Sequence, residues 1–287
     1  MKNKNQNNNN EWDLIINNKK PILKLNLKGI VNHKDLLFLF VYRDFVSTYK
    51  QTILGPLWFF IQPILTSITF VIIFGGFAKI PSDGIPGILF YMSGIIMWNY
   101  FADCINQTSH TFTQNQNLFG KVYFPRIIVP LSKVVNNLLK FFIQLILFLI
   151  LYAFFYLNGF GFSLGWTFIL LPLLLIQMAF TGLGFGMIVS SLTTKYKDLT
   201  FLINFAVQLL MYASPIVYPI SIVPEKFKWI IMLNPFTSII EIFKNSVFGT
   251  GYINIFWILY SFCFSIIVFL IGLIIFNKVE KSFIDTI

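Results

Sequence analysis

Arg43 and Lys50 stand just before the first long apolar run of the chain, where each would hold a cation at lipid-headgroup depth. A guanidinium and an ammonium so placed suit a phosphate group, and they suit equally the anchoring of cytoplasmic-side cations to anionic lipid. Trp58 and Gln62 open that run. The aromatic set Tyr91, Trp98, Tyr100, Tyr212 and Tyr218 has the chemistry of a sugar-guiding surface, because tyrosine and tryptophan offer an apolar face with a hydrogen-bonding edge. The same residue types form aromatic belts at membrane interfaces. Glu241 and Lys244 are spaced i, i+3 and read as a solvated pair that bond to one another.

The chemistry missing from the sequence narrows the class. No G-x-x-x-x-G-K-[S/T] run is present, so the chain does not cradle ATP phosphates in the P-loop manner. Asp103 and Asp198 are the acids at the edges of apolar runs, and a proton relay wants acids or histidines nearer the midplane. Gln62, Gln144, Gln177, Asn204 and Gln208 read as interhelical glue or, alternatively, as polar groups of a proton-coupled carrier. His33 and His110 lack a second ligand at metal spacing, and no metal is expected. Cys104 and Cys263 read as buried spectators.

These residues are positioned by elements that need lipid as their solvent. Of 287 residues 56% are hydrophobic and 11% charged, against about 25% charged in an average soluble domain. The formal charge of +10 falls mostly in short connections rather than on one soluble face, which argues against a nucleic-acid partner. Residues 1–20 are polar and asparagine-rich and are expected to be disordered. Residues 21–56 mix basic and apolar positions and predict an interfacial amphipathic segment. Six windows are long enough to span, roughly 57–78, 85–104, 134–157, 167–192, 199–220 and 253–276, leaving a cytoplasmic tail at 277–287. No cleavable leader is expected, since the start reads MKNKNQNNNN and the first span can serve as its own signal.

The lysine and arginine counts of the connections alternate and place both termini inside. Lys19, Lys20, Lys24, Lys28 and Lys34 precede the first span together with Arg43 and Lys50, and Lys121, Arg126 and Lys133 lie in or beside the second connection. Phe119, Lys121, Tyr123, Phe124, Pro125 and Arg126 concentrate aromatic anchors and an arginine, residue types enriched at interface hot spots. Read as exposed, they suit insertion into a cleft of a partner subunit or rest on the inner membrane surface. Lys195, Tyr196, Lys197 and Asp198, in the fourth connection, lie on the same side and are grouped with them. The fifth connection is external and holds two apolar stretches too short to span, Phe227–Leu233 and Phe236–Phe248, broken by Pro215, Pro219, Pro224 and Pro235. Non-helical backbone at membrane depth lines protein or a water-filled cavity, so these half-helices read as an external gate. The expected fold is all-α and integral to the membrane, with six transmembrane helices.

Four stretches carry a family resemblance: YKQTILGPLW at 49–58, LFGKVYFPRIIVP at 118–130, ASPIVYPISIVPEKF at 213–227 and LNPFTSIIEIFKNSVFG at 233–249. Together, in this order, they resemble ABC-2 type permeases of the polysaccharide, O-antigen and teichoic-acid export family, over about residues 33–280. The resemblance implies a homodimer joined to two copies of a nucleotide-binding ATPase subunit, with ATP and magnesium on that partner and no cofactor on this chain. It implies a glycan on undecaprenyl diphosphate as substrate, export across the bacterial cytoplasmic (inner) membrane, and a pore where the first and fifth spans meet across the dimer. Two rivals are an ABC-2 exporter of another lipid or drug, and a membrane-embedded glycan acyltransferase, which would need a catalytic histidine or acid cluster.

Overall fold

The computed structural model describes residues 27–50, 52–122, 124–161 and 164–283. The tract 1–20, residues 21–26, Tyr123 and the end of the tail lie outside the described residues. Helix α1 (Leu27–Asn32) leads into α2 (Lys34–Tyr49), which lies along the inner end of the bundle. The chain then turns a corner. Gly55 holds φ at 51°, a left-handed value that suits a residue without Cβ, and Pro56 follows with its φ preset for a helix start. Helix α3 (Trp58–Phe70) begins there and passes into a π-helical stretch at Val71–Phe77.

After a loop come α4 (Gly87–Ser109) and two short helices, α5 (Thr111–Gln114) and α6 (Gln116–Phe119), at the end of the bundle where α2 lies. Helix α7 (Ile128–Leu157) starts at Ile128 rather than near residue 134, because Pro130 sits in its first turn, where no intrahelical N–H is lost. A 3₁₀ turn at Trp166–Leu170 opens α8 (Leu171–Thr193), and α9 (Leu199–Tyr212) follows. At the other end of the bundle, which the charge pattern predicts to be external, lie α10 (Glu225–Met232) and α11 (Pro235–Phe248), and α12 (Ile255–Phe283) returns to the end where α2 lies.

The described residues are helical and contain no strand. Five helices are long and apolar enough to cross a bilayer: Gly55–Phe77, Gly87–Ser109, Ile128–Leu157, Trp166–Thr193 and Ile255–Glu280. The fifth expected span is shorter than expected. Helix α9 has 14 residues, which at 1.5 Å each reach about 21 Å of the roughly 30 Å hydrocarbon layer. Residues 213–220 form turns instead, because Pro215 and Pro219 lack the N–H a helix needs and turn the preceding residues away from helical angles.

Helix α4 is central, with 78% of its apolar window buried inside the protomer against 22% for the first span. Helices α3, α7 and α8 pack on it, α2 packs on α7, and α12 packs on α8. Glycines on two faces of α8 set these distances. A Cβ at Gly182 would lie 2.6 Å from Cβ of Cys104, and one at Gly186 would lie 2.5 Å from Cβ of Thr108. A Cβ at Gly184 would lie 2.7 Å from the backbone of Val268, and one at Gly272 would lie 2.4 Å from the Gly184 carbonyl. Lipid tails are as apolar as leucine, so helices in a bilayer hold together by such close backbone approach and by hydrogen bonds. Gln177 Nε2 donates to Ser261 Oγ at 2.6 Å and Thr181 donates to Ser265 Oγ at 3.1 Å, both between α8 and α12. Gln177 is therefore interhelical glue, whereas Asn204 and Gln208 on α9 and Gln62 on α3 face outward. Cys104 is buried, but Cys263 is exposed on the outer face of α12, contrary to the reading of both as buried.

Candidate functional site

At the inner end, Asp44 gathers two cations. Arg43 donates to Asp44 Oδ1 through Nε at 3.0 Å and through a terminal guanidinium nitrogen at 2.8 Å, and Lys133 Nζ lies 2.8 Å from Oδ2. Asp44 is buried between α2 and α7, while the Arg43 side chain keeps 48% exposure with its guanidinium 4.8 Å from the Phe40 ring centroid. Two cations on one carboxylate leave a net positive charge, the chemistry that attracts a phosphate. Lys50 is exposed nearby in sequence. Lys133 entered the sequence reading only as a positive-inside charge, since its partnership with Asp44 joins elements far apart in the chain.

The cytoplasmic segment after α4 is folded against the protomer. Phe119 and Phe124 are buried, with ring centroids 5.9 Å apart, and Phe124 lies 5.9 Å from Phe40. Phe119 reaches Phe112 at 6.0 Å, and Phe112 stacks on Phe276 of α12 at 4.7 Å. Arg126 is buried, donates to the Glu280 carbonyl at 2.8 Å and holds its guanidinium 5.2 Å from the Phe119 ring. That carbonyl lies near the C-terminal end of α12, where a cation is favoured by the helix dipole.

The expectation of exposed aromatics here is corrected. Burying a phenylalanine in the chain's own core yields about 1.5–3 kcal/mol without waiting for a partner. What remains on the surface is polar: Thr113, Gln114, Gln116 and Asn117, then Lys121 with Val122 at the tip, while Pro125 is half-buried. Tyr123 lies outside the described residues. In the fourth connection Lys195, Tyr196, Lys197 and Asp198 are all exposed, with the Lys195 ammonium 5.3 Å from the Tyr196 ring. The two connections are tied together, since the Phe112 N–H donates to Ser190 Oγ at 3.3 Å and Thr193 donates to the Ser109 carbonyl at 3.4 Å. Together they form one inner platform.

The aromatic set is divided rather than gathered. Because α4 is central, Tyr91, Trp98 and Tyr100 are buried against neighbouring helices: Tyr91 on Phe70 at 5.9 Å, Trp98 on Phe236 at 5.7 Å and Tyr100 on Phe141 at 5.7 Å. Tyr212 is exposed at the end of α9, and the half-buried Tyr218 donates to the Ala213 carbonyl at 3.2 Å. Two outward faces do carry polar groups at membrane depth. On α3 Trp58 and Gln62 are exposed, and on α9 Asn204 and Gln208 lie beside exposed Phe201, Phe205 and Tyr212.

The outer end holds a buried ion pair. Helix α11 starts with Asn234 accepting from the Phe236 N–H at 3.1 Å, carries Pro235 at its first position and ends at Gly249 with φ 73°. Glu241 and Lys244 are 2% and 3% exposed, so the solvated pair expected from their spacing is corrected to a buried one. Lys244 Nζ donates to the Pro215 carbonyl at 2.6 Å and lies 3.9 Å from the Phe90 ring centroid. It stands 4.0 Å from Glu241, whose other oxygen accepts from the Tyr252 N–H at 2.9 Å. Burial lowers the Lys244 ammonium to about 8, an effect that the neighbouring Glu241 carboxylate opposes, and burial raises Glu241. No signal in the sequence announced this burial, since Thr237, Ser238, Glu241, Lys244 and Asn245 recur at helical spacing and read as the polar face of an amphipathic helix.

Five helices long and apolar enough to cross a bilayer, a shorter apolar helix beside them, a polar platform at one end of the bundle and a pair of short helices at the other define a multi-pass membrane permease. Residues 35–248 match the ABC-2 type transporter family, and the chain belongs to that family. It is a transporter permease and not an enzyme. Among individual proteins, it is similar to the O-antigen export system permease protein RfbA of Klebsiella pneumoniae, 31% identical over 255 residues that cover 88% of this chain and 94% of the relative. A protein of the same description from Myxococcus xanthus is 27% identical over 226 residues, covering 76% and 82%. The polysialic acid transport protein KpsM of Escherichia coli is 23% identical over 249 residues, covering 85% and 93%.

Proposed function

We propose that the chain is the membrane subunit of a polysaccharide exporter in the bacterial cytoplasmic membrane. It works as a homodimer with two copies of a separate ATPase subunit that hold ATP and magnesium, and its substrate is a glycan on undecaprenyl diphosphate. The observation that carries this reading is the pair of outward faces on α3 and α9. Gln62, Asn204 and Gln208 are exposed on apolar helices, and an amide facing hydrocarbon is costly. A second copy of the chain enclosing a hydrated path satisfies these amides. Such a path suits a sugar polymer, which needs water and many weak contacts, and the Arg43–Asp44–Lys133 cluster suits the diphosphate at the inner leaflet. The relatives are named for export of O-antigen and transport of polysialic acid, which supports a glycan cargo.

Deletion of the gene is expected to leave the cell surface without its glycan while the lipid-linked form accumulates on the inner side, with return of surface glycan on complementation. Normal surface glycan in the deletion strain would refute the reading.

A further inference from the structure

The outer hairpin between the fifth and sixth spans has two halves with unlike attachments. Every residue of α11 except Asn245 is buried. Its Lys244 bonds to the Pro215 carbonyl in the turn that ends α9, above the Phe90 ring of α4, so three elements meet at one ammonium. The same turn is packed directly on α4, where a Cβ at Gly94 would come within 2.9 Å of Ile216 Cγ2. On the far side, Glu241 holds the Tyr252 N–H, and the Glu241 carbonyl passes so close that a Cβ at Gly251 would lie 2.6 Å from it. Helix α10 is attached differently. Met232 is its one buried residue, and Phe227, Trp229 and Ile230 are exposed. Its flanks are held by exposed hydrogen bonds, from Ser221 to Asp83 at 2.7 Å and from the Tyr260 hydroxyl to the Leu233 carbonyl at 3.1 Å.

We infer that Lys244 and Glu241 are positioning residues that clamp the turn 213–217 to α11 and α4 as one rigid unit, so that α10 is the part of the outer hairpin that moves when the outer mouth opens. This rests on the reading of residues 213–252 as the exit of an exporter. The physical ground is an asymmetry of release. Pulling Lys244 from Pro215 and Glu241 inside an apolar layer leaves buried charges without partners. Freeing α10 exchanges exposed hydrogen bonds for bonds to water and gives up one part-buried neutral bond, from the Thr237 hydroxyl to the Ile231 carbonyl at 2.7 Å, which costs far less than stranding a buried charge.

Two measurements test it. In membranes without nucleotide, a cysteine at the buried Val217 is expected to react slowly with a charged external maleimide. Lys244→Met should speed that reaction by on the order of a hundredfold or more, the shift that stranding one partner of a buried pair implies. Lys244→Arg should keep it slow. Should Lys244→Met fail to insert, Glu241→Gln combined with Lys244→Met leaves no buried charge and should still speed labelling by about tenfold through the lost hydrogen bond. Unchanged labelling in the inserted variants overturns the clamp. Second, a disulfide between Asp83→Cys and Ser221→Cys staples the flank of α10 to the α3–α4 loop. Oxidation is expected to stop export and reductant to restore it, and export at the parental rate in the oxidised form overturns α10 as the moving part. The labelling result stands without any transport, so a wrong assignment of cargo would show as clamp behaviour in a protein that exports no glycan.

Discussion

Phe124 and Lys121 lie three residues apart in the cytoplasmic segment and meet opposite environments. The Phe124 ring is packed between Phe40 and Phe119, whereas Lys121 is exposed at the tip. Phe124→Ala is therefore expected to cost about 3–5 kcal/mol and lower the thermal midpoint of the extracted protein. Lys121→Ala should leave that midpoint within error and reduce the amount of ATPase subunit that co-purifies, measured by quantitative pull-down. Equal loss of stability in both variants would contradict the assignment of one to the core and the other to the partner. The unusual density of aromatics at 119–126 was legible in the sequence, but their destination was not. A phenylalanine fits a partner's pocket and its own core equally well. The choice depended on Phe40, Phe112 and Phe276, which only the fold brings near. The Glu241–Lys244 pair is the same lesson for charges, since i, i+3 spacing specifies mutual reach and not burial.

Among the elements, α3 and α9 make the sharpest prediction. Cysteines introduced near Gln62 and Tyr212 are expected to cross-link between subunits of the assembled dimer, read as a doubled mass under non-reducing electrophoresis. Absence of such a product across several neighbouring pairs would remove these helices from the interface. The long spans were readable because a bilayer imposes a length on apolar runs, and Gly87–Ser109 and Trp166–Thr193 fall near the windows predicted for them. The end of α9 was misjudged for a physical reason. Residues 213–220 are apolar enough to extend the window, but Pro215 and Pro219 remove the N–H groups that would carry the helix onward. The glycines of α8 were not singled out at all, because a small residue announces close approach only once the partner helix is known.

At the scale of the whole molecule, the alternating charges of the connections predict an orientation that single cysteines can check. Cysteines at Phe160 and Ile230 should react with an impermeant reagent added outside, and one at Lys195 should react only after the membrane is opened. Reaction at Lys195 in intact cells, or protection of Ile230 together with reaction at Lys195, would invert the arrangement. The alternation was legible because it depends on counts over short loops rather than on any one residue. One feature of the bundle bears on the length of the path that two copies would enclose. Helix α9 offers about 21 Å of apolar length beside neighbours such as Ile128–Leu157 that span the full layer. With its outward face turned toward the second copy in the proposed dimer, that short helix would line the path itself, so a polar polymer would pass about 21 Å of helix there rather than the full thickness of the layer.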